Sequence, residues 1–250
     1  MNTLKIEHEW LKGLMPDGLA YPTSTIISGP GGSGKPLVEF AFVASWLKSG
    51  GSLIGIPLQY PSVEFVKRAM LKLFDIDLDK YNKRYINIQF DIEIDSYMQI
   101  SDNEIKANLL KPEVLNEVID VADSLIEKSE LGTLVFGSAL NLLFFSPTYK
   151  DAALKNLETI IKHDKSKTFI FSVSNSMLAE EIKHLEDAAD NLMFTRMEKP
   201  MKLFFNIEKM AGVKFSNKEV NVPISKEILK EIKEIAEKSR KKILPKLKNI

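Results

Sequence analysis

The chain has 250 residues, and its 34 basic and 34 acidic side chains give a formal net charge of zero. This balance excludes a general attraction to nucleic acid or membranes through net charge. The absence of cysteine excludes disulfides, zinc ribbons and thiolate chemistry. The start of the chain lacks the apolar run of a signal peptide, and the most apolar segment, residues 140–145, is far shorter than the roughly 18 residues of a membrane span. We therefore expect one cytoplasmic α/β domain with a tail.

The first third of the chain alternates predicted strands and helices. Residues 24–28 read as a strand, residues 29–35 as a glycine-rich loop, and residues 37–47 as an apolar helix that Gly50 and Gly51 end. A buried strand at 52–57, a helix at 62–74 with Ser62 as its N-cap, and a strand at 85–90 follow.

The same alternation continues after an acidic stretch, residues 91–108, which we interpret as an irregular loop. Helices are predicted at 112–128, 148–163 and 177–185, and strands at 133–136, 168–173, 192–196 and 203–207. Repeated strand and helix alternation predicts an α/β fold with a mainly parallel twisted sheet and helices on both faces.

Residues 225–250 differ in composition from the rest. They carry nine Lys or Arg and only four Glu, with an apolar stripe at Ile228, Ile232, Ile235 and Ala236 that Pro245 interrupts. We therefore divide the chain into a nucleotide-binding domain, residues 1–224, and a basic helical tail, residues 225–250. The tail either docks on its own domain as an amphipathic helix or contacts nucleic acid or acidic lipid; its lack of aromatic residues disfavours stacking on bases.

The glycine-rich loop satisfies the pattern G-x-x-x-x-G-K between a predicted strand and a predicted helix. Its glycines let backbone N–H groups turn toward an anionic oxygen, and Lys35 neutralises the outer phosphates. An ordinary glycine-rich turn is the alternative. The predicted nucleotide-binding residues are Gly29, Pro30, Gly31, Gly32, Ser33, Gly34, Lys35, Pro36 and Leu37.

Position 36 departs from the pattern, which has Ser or Thr there as a Mg²⁺ ligand. Pro36 offers neither a hydroxyl nor a backbone N–H, although proline is comfortable early in a helix. The site therefore loses one phosphate contact and one metal ligand, which argues against tight Mg²⁺ binding.

With this loop, the order of elements and the segment Ile207-Glu208-Lys209-Met210-Ala211-Gly212, the chain resembles the KaiC-like ATPases of the RecA superfamily over about residues 11–223. The resemblance implies ATP or ADP as ligand, and a hexamer or a ring with related ATPase subunits. It also implies that Lys209 contacts the phosphates of a neighbouring subunit.

Three further positions depart from this family. Gln59 stands where the family has a catalytic glutamate, Gly137 replaces the metal-binding aspartate of the Walker B strand and leaves only Ser138, and Ala211 replaces the arginine that follows the lysine at 209. Losing one transition-state donor commonly costs about 10²- to 10³-fold in rate, and losing an arginine finger about 10³- to 10⁵-fold. We therefore assign no catalytic residue.

The sequence favours a regulatory or assembly subunit, a pseudo-ATPase that binds nucleotide better than it hydrolyses it. Two alternatives stay open: an active ATPase in which Glu64 or Asp91 replaces the lost carboxylates, and an interaction scaffold with an empty loop. Asp91, Glu93 and Asp95 would form a cation site if a strand placed them on one face, whereas a solvated loop would keep them apart. No metal site is assigned.

Overall fold

A computed structural model describes residues 2–60 and 63–250. The helices are α1 (Glu9–Lys12), α2 (Lys35–Lys48), α3 (Val63–Phe74), α4 (Pro112–Leu125), α5 (Lys150–His163), α6 (Ala179–Ala188) and α7 (Lys226–Leu247). The strands are β1 (Asn2–Leu4), β2 (Leu19–Tyr21), β3 (Ser24–Gly29), β4 (Ser52–Pro57), β5 (Tyr85–Phe90), β6 (Tyr97–Ser101), β7 (Glu104–Ala107), β8 (Thr133–Ser138), β9 (Thr168–Ser174), β10 (Asn191–Glu198), β11 (Lys202–Lys209) and β12 (Val220–Asn221). Short 3₁₀ helices cover Leu78–Tyr81 and Leu140–Phe145.

A ten-stranded sheet runs through the described part of the chain in the order β12-β11-β10-β3-β9-β8-β4-β5-β7-β6. The strands from β10 to β7 in this order are parallel, and antiparallel pairs complete both edges. Strand β9 separates β3 from β8, so the strand before the glycine loop and the strand that contains Gly137 are not neighbours.

Hydrophobic clusters cover both faces of the sheet, as its buried apolar strands require. On one face α2 is buried from Lys35 to Leu47, and Phe40 packs edge-on against Phe136 of β8. On the other face α4, α5 and α6 contribute apolar stripes. These layers confirm the α/β architecture that the alternation of elements predicts.

The interpretation of residues 91–108 as an irregular loop was wrong. Strands β6 and β7 form an antiparallel hairpin there, and β7 pairs parallel to β5. The hairpin could not be recognised from the sequence, because four of the five residues of β6 are exposed. Strand β6 therefore lacks the alternation of apolar and polar residues that marks a strand with one buried face.

Several element ends also differ from the predicted ones. Helix α4 ends at Leu125 rather than near residue 128, and α6 begins two residues later than predicted. Helix α7 continues through Pro245, which lies in its final turn and therefore removes one hydrogen bond without ending the helix. The predicted Ser62 cap lies outside the described residues. Within residues 2–60 and 63–250, no helix combines the length and apolarity needed to cross a membrane.

Candidate functional site

The candidate site lies at the carboxyl ends of the central parallel strands. The glycine-rich loop follows Gly29 of β3, and the neighbouring parallel strands β9, β8 and β4 end at Ser174, Ser138 and Pro57. In open α/β sheets, the carboxyl ends of parallel strands are where ligands bind. Gly29–Lys35, Gly137 and Gln59 therefore lie on the same side of the molecule.

The loop has a backbone that only glycine adopts readily at two positions. Gly32 and Gly34 have φ angles of 75° and 71°, and the turn is closed by the Ser33 N–H, which donates to Pro30 O over 3.2 Å. The Gly31 N–H donates to Ser176 Oγ over 2.8 Å. Because a serine hydroxyl can rotate away, this amide is available to an incoming anion.

Lys35 is folded onto the loop that precedes it. Its Nζ donates to Gly29 O over 2.9 Å and to Pro30 O over 2.7 Å. Burial lowers the pKa of Lys35 to about 7, although the nearby Glu39 acts in the opposite direction and raises it. An anionic phosphate beside Nζ would favour the ammonium form, so phosphate binding and protonation of Lys35 support each other.

Glu39 was missed by sequence reasoning, although it is the only acidic residue in an otherwise apolar helix one turn after Lys35. Its side chain is fully buried, and Ser138 Oγ donates to Glu39 Oε2 over 2.5 Å. Glu39 Oε1 has no hydrogen-bond partner in the part of the chain that the structure describes. Burial raises the pKa of Glu39 to about 8, with the Ser138 hydroxyl opposing the shift, so the surroundings favour the neutral carboxyl.

The residues around the loop do not fit Mg²⁺. Pro36 supplies no hydroxyl, and a Cβ at Gly137 would lie 2.8 Å from Leu140 Cδ2 and 3.0 Å from Phe171 Cδ1. The space for a Walker B carboxylate is thus filled by apolar atoms, and the Ser138 hydroxyl is already donated to Glu39. No group of three or more His, Asp or Glu able to hold a metal occurs within residues 2–60 and 63–250.

Neither of the carboxylates considered as substitutes, Glu64 and Asp91, lines the pocket beside the loop. Glu64 is exposed and pairs with Lys67 over 3.5 Å. Gln59, by contrast, does line the site, and its Nε2 donates to the Tyr60 hydroxyl over 3.0 Å. Gln59 can orient a water molecule, but it cannot accept a proton as a glutamate would.

The acidic residues at 91, 93 and 95 lie in a turn before β6 rather than on a strand, so the premise of a cation site on one strand face was wrong. Each carboxylate pairs with a different lysine. The pairs are Asp91 with Lys106, Glu93 with Lys246, and Asp95 with Lys111.

Lys209 lies at the amino ends of the parallel strands, on the opposite side of the sheet from the carboxyl ends where the glycine loop lies. It ends β11, which runs antiparallel to β10, and it pairs with Leu192 near the start of β10. Its Nζ donates to Asp187 O over 3.4 Å. Lys209 therefore cannot reach the loop of its own chain, whereas a contact with a neighbouring subunit is compatible with this position.

A cavity of about 350 Å³ lies between the loop and α7. Its size is at the lower end of the range for small-molecule sites. The residues that line it are Gly31, Gly32, Lys35, Gln59, Ala139, Asn141, Leu142, Phe145, Ser174, Ser176, Met177, Lys233, Glu237, Arg240 and Leu244. Sequence reasoning assigned none of the lining residues from Ala139 onward to the site. For the last four, the spacing in a basic helix shows that they share a face but not what that face contacts.

Two solved structures resemble the chain closely in fold. A KaiC-like protein from Pyrococcus horikoshii matches with a TM-score of 0.66 and 15% sequence identity, over 90% of this chain and 95% of that one. The flagellar accessory protein FlaH from Methanocaldococcus jannaschii matches with a TM-score of 0.64 and 13% identity, over 90% and 96%. The chain has a KaiC-like fold. No protein-family model and no curated protein matches the sequence.

The KaiC-like fold confirms the RecA-type architecture that the loop and the order of elements predict. In this fold the glycine loop takes the expected place after β3 and before α2. Pro36, Gln59 and Gly137 all lie near the glycine loop, at the carboxyl ends of β3, β4 and β8.

Proposed function

We propose that this protein binds ATP or ADP through residues 29–37 and hydrolyses it poorly, acting as a regulatory or assembly subunit. The observation that carries the proposal is the glycine loop itself. It lies at the carboxyl ends of the parallel strands and precedes a buried helix, and Lys35, the first residue of that helix, folds back onto the loop. The cavity beside Gly31, Gly32 and Lys35 gives a polyphosphate room next to the loop.

Weak hydrolysis follows from the chemistry of the same site. Gln59 cannot serve as a general base, and Glu39 is fully buried in surroundings that raise its pKa and favour its neutral form. Pro36 and Gly137 leave Mg²⁺ without its two usual protein contacts. We therefore expect binding without efficient turnover, because the loop and Lys35 can hold phosphate whereas Pro36, Gln59 and Gly137 offer no group that activates water.

Calorimetry with ADP and with ATP, in excess Mg²⁺ and in EDTA, tests this proposal. We expect dissociation constants that agree within about threefold between the two conditions, because the site holds the phosphates without metal ligands. Lys35→Ala is expected to weaken binding by about ten- to a hundredfold, the usual effect of losing a charge-assisted hydrogen bond. Lys48→Ala, an exposed change at the other end of α2, is the control and should bind as the wild type does.

Two outcomes contradict the proposal in different directions. Binding that requires Mg²⁺, with steady phosphate release abolished by Lys35→Ala, identifies an active ATPase. Absence of ATP and ADP binding in either condition identifies a scaffold.

We also propose assembly into a homo-oligomer or a ring with related ATPase subunits, with Lys209 facing a neighbouring site. The KaiC-like fold and the position of Lys209 away from its own loop support this arrangement. A cytoplasmic location and the division of the chain at residue 225 are proposals of the same kind, and both rest on composition.

A further inference from the structure

Helix α7 lies across the open side of the glycine loop and is anchored at both ends. Leu229 and Leu247 are buried, and a Cβ at Gly34 would lie 3.5 Å from Leu229 Cδ2. Glu231 pairs with Arg68 of α3 over 2.9 Å, and Lys246 pairs with Glu93 over 2.7 Å. The helix is therefore held in place by contacts with the body on both sides of the cavity.

One face of α7 points into the cavity. Lys233, Glu237, Arg240 and Leu244 line it at spacings of four, three and four residues, which is the repeat of a single helix face. Lys233 Cε lies 3.5 Å from the position that a Cβ on Gly32 would take. Arg240 Nη1 lies 3.5 Å from the corresponding position at Gly31. Two cations of α7 are thus adjacent to the two central glycines of the loop.

The charges around the cavity favour an anion. Lys233 and Arg240 contribute two positive charges from α7, and Glu237, which pairs with Lys233 over 4.0 Å, contributes one negative charge. Lys35 adds a third cation when it is protonated. Among the acidic groups in the described part of the chain, Glu237 alone reaches the cavity lining, so this lining has an excess of cations and no pair of carboxylates to share a metal ion.

We propose that α7 completes the phosphate site within the same chain, and that Lys233 and Arg240 supply the positive charge that Mg²⁺ supplies in a metal-dependent loop. The ligand is the polyphosphate end of a nucleotide, held between Gly31, Gly32 and Lys35 on one side and the two α7 cations on the other. The guanidinium group of Arg240 can contact two phosphate oxygens at once, whereas the ammonium group of Lys233 acts as a point charge on a flexible stem. This inference rests on the proposed nucleotide binding and adds the residues that replace the metal.

Calorimetry with ADP in EDTA on four full-length proteins tests the role of α7. The double variant Lys233→Ala/Arg240→Ala is expected to bind ADP about ten- to a hundredfold more weakly than the wild type, and with a weaker dependence on ionic strength. Glu237→Gln is expected to bind about two- to fivefold more tightly, because it removes the one negative charge from the lining. The control Lys238→Ala/Lys242→Ala removes the same charge from exposed positions of α7 outside the lining, and its affinity should match that of the wild type.

The outcomes separate this inference from the proposed function. If the wild type binds ADP in EDTA and the Lys233/Arg240 double variant binds equally well or more tightly, α7 is only a cover and the inference is overturned while nucleotide binding stands. If the wild type fails to bind ADP in EDTA, both are overturned. Equal losses in the two double variants would also overturn it, because they would reflect the net charge of the helix rather than contacts in the cavity. Circular dichroism and the thermal midpoint of each variant show whether α7 remains folded.

Discussion

Gly137 lies at a position where the surrounding core leaves little room for a side chain. Leu140 and Phe171 occupy the space into which a side chain at this position would extend. An aspartate at this position would therefore displace core side chains before its carboxylate could reach a metal ion.

We expect Gly137→Asp to lower the free energy of unfolding by about 1 to 3 kcal/mol, the usual range for overpacking, with burial of a carboxylate adding to the loss. Urea denaturation measures the change. Gly13→Asp is a matched control, since no atom lies within 4 Å of a Cβ there and the φ angle is −64°. Equal stability of Gly137→Asp and wild type, together with Mg²⁺-dependent hydrolysis, would show that the pocket is open to a metal-binding carboxylate.

Helix α2 follows the glycine loop directly and holds two ionisable groups among buried apolar side chains. Its first turn holds Lys35, its second holds Glu39, and every other side chain from Pro36 to Leu47 except Ser45 is apolar. The two ionisable groups have pKa values shifted in the directions that favour their neutral forms. Burial in this helix therefore makes Glu39 retain its proton more strongly, and Lys35 release its proton more readily, than the same groups do in water.

The raised pKa of Glu39 predicts a pH dependence of stability. In the folded protein the pKa is about 8, and in the unfolded chain it is near the ordinary glutamate pKa of 4.5, so between these values the folded state binds more protons. The contribution of Glu39 to stability is therefore complete below about pH 4.5 and declines as pH rises toward 8.

Replacing Glu39 with Gln should remove this decline. Urea denaturation at pH 5 and pH 7 is expected to show the wild type losing stability relative to Glu39→Gln as pH rises, by about 1 kcal/mol or more over this interval. Lys35 affects the comparison little, because its lowered pKa produces a difference between folded and unfolded states only above about pH 7. Parallel pH curves for the two proteins would contradict a protonated buried Glu39.

At the scale of the whole molecule, the proposed assembly predicts that nucleotide affinity depends on protein concentration. We expect sedimentation velocity with ADP to give a mass above that of the 28.3 kDa chain. Under those conditions Lys209→Ala should weaken ADP binding by about tenfold, as the loss of one phosphate contact from a neighbour. Lys214→Ala, an exposed change nearby, is the control. A monomer at all concentrations, or equal affinities for the two variants, would contradict the role of Lys209.

The parallel core could be predicted from the sequence because its strands are buried on both faces. Residues 52–57 and 85–90 contain enough apolar residues to be recognised as strands from the sequence, and the glycine loop locates the first part of the site. The hairpin of β6 and β7 could not be predicted in the same way, since β6 is exposed at the sheet edge.

The candidate site was only half predictable for a related reason. Gly29–Lys35 form a continuous motif, whereas Glu39, Lys233 and Arg240 reach the site through tertiary packing. The charged residue within an apolar helix was a signal for Glu39. The charge pattern of residues 225–250 alone indicates a solvated basic face as readily as a ligand contact.

The cavity joins segments that lie roughly 200 residues apart in the chain, the loop near Gly32 and the helix near Lys233. Individual elements of a fold open in local fluctuations at a lower free energy than global unfolding. A ligand held between the two segments would tie one to the other, so its residence time would be set by how often the helix lifts away. Amide hydrogen exchange along residues 226–247 should accordingly slow when the ligand is bound, giving a readout of occupancy that does not depend on catalysis.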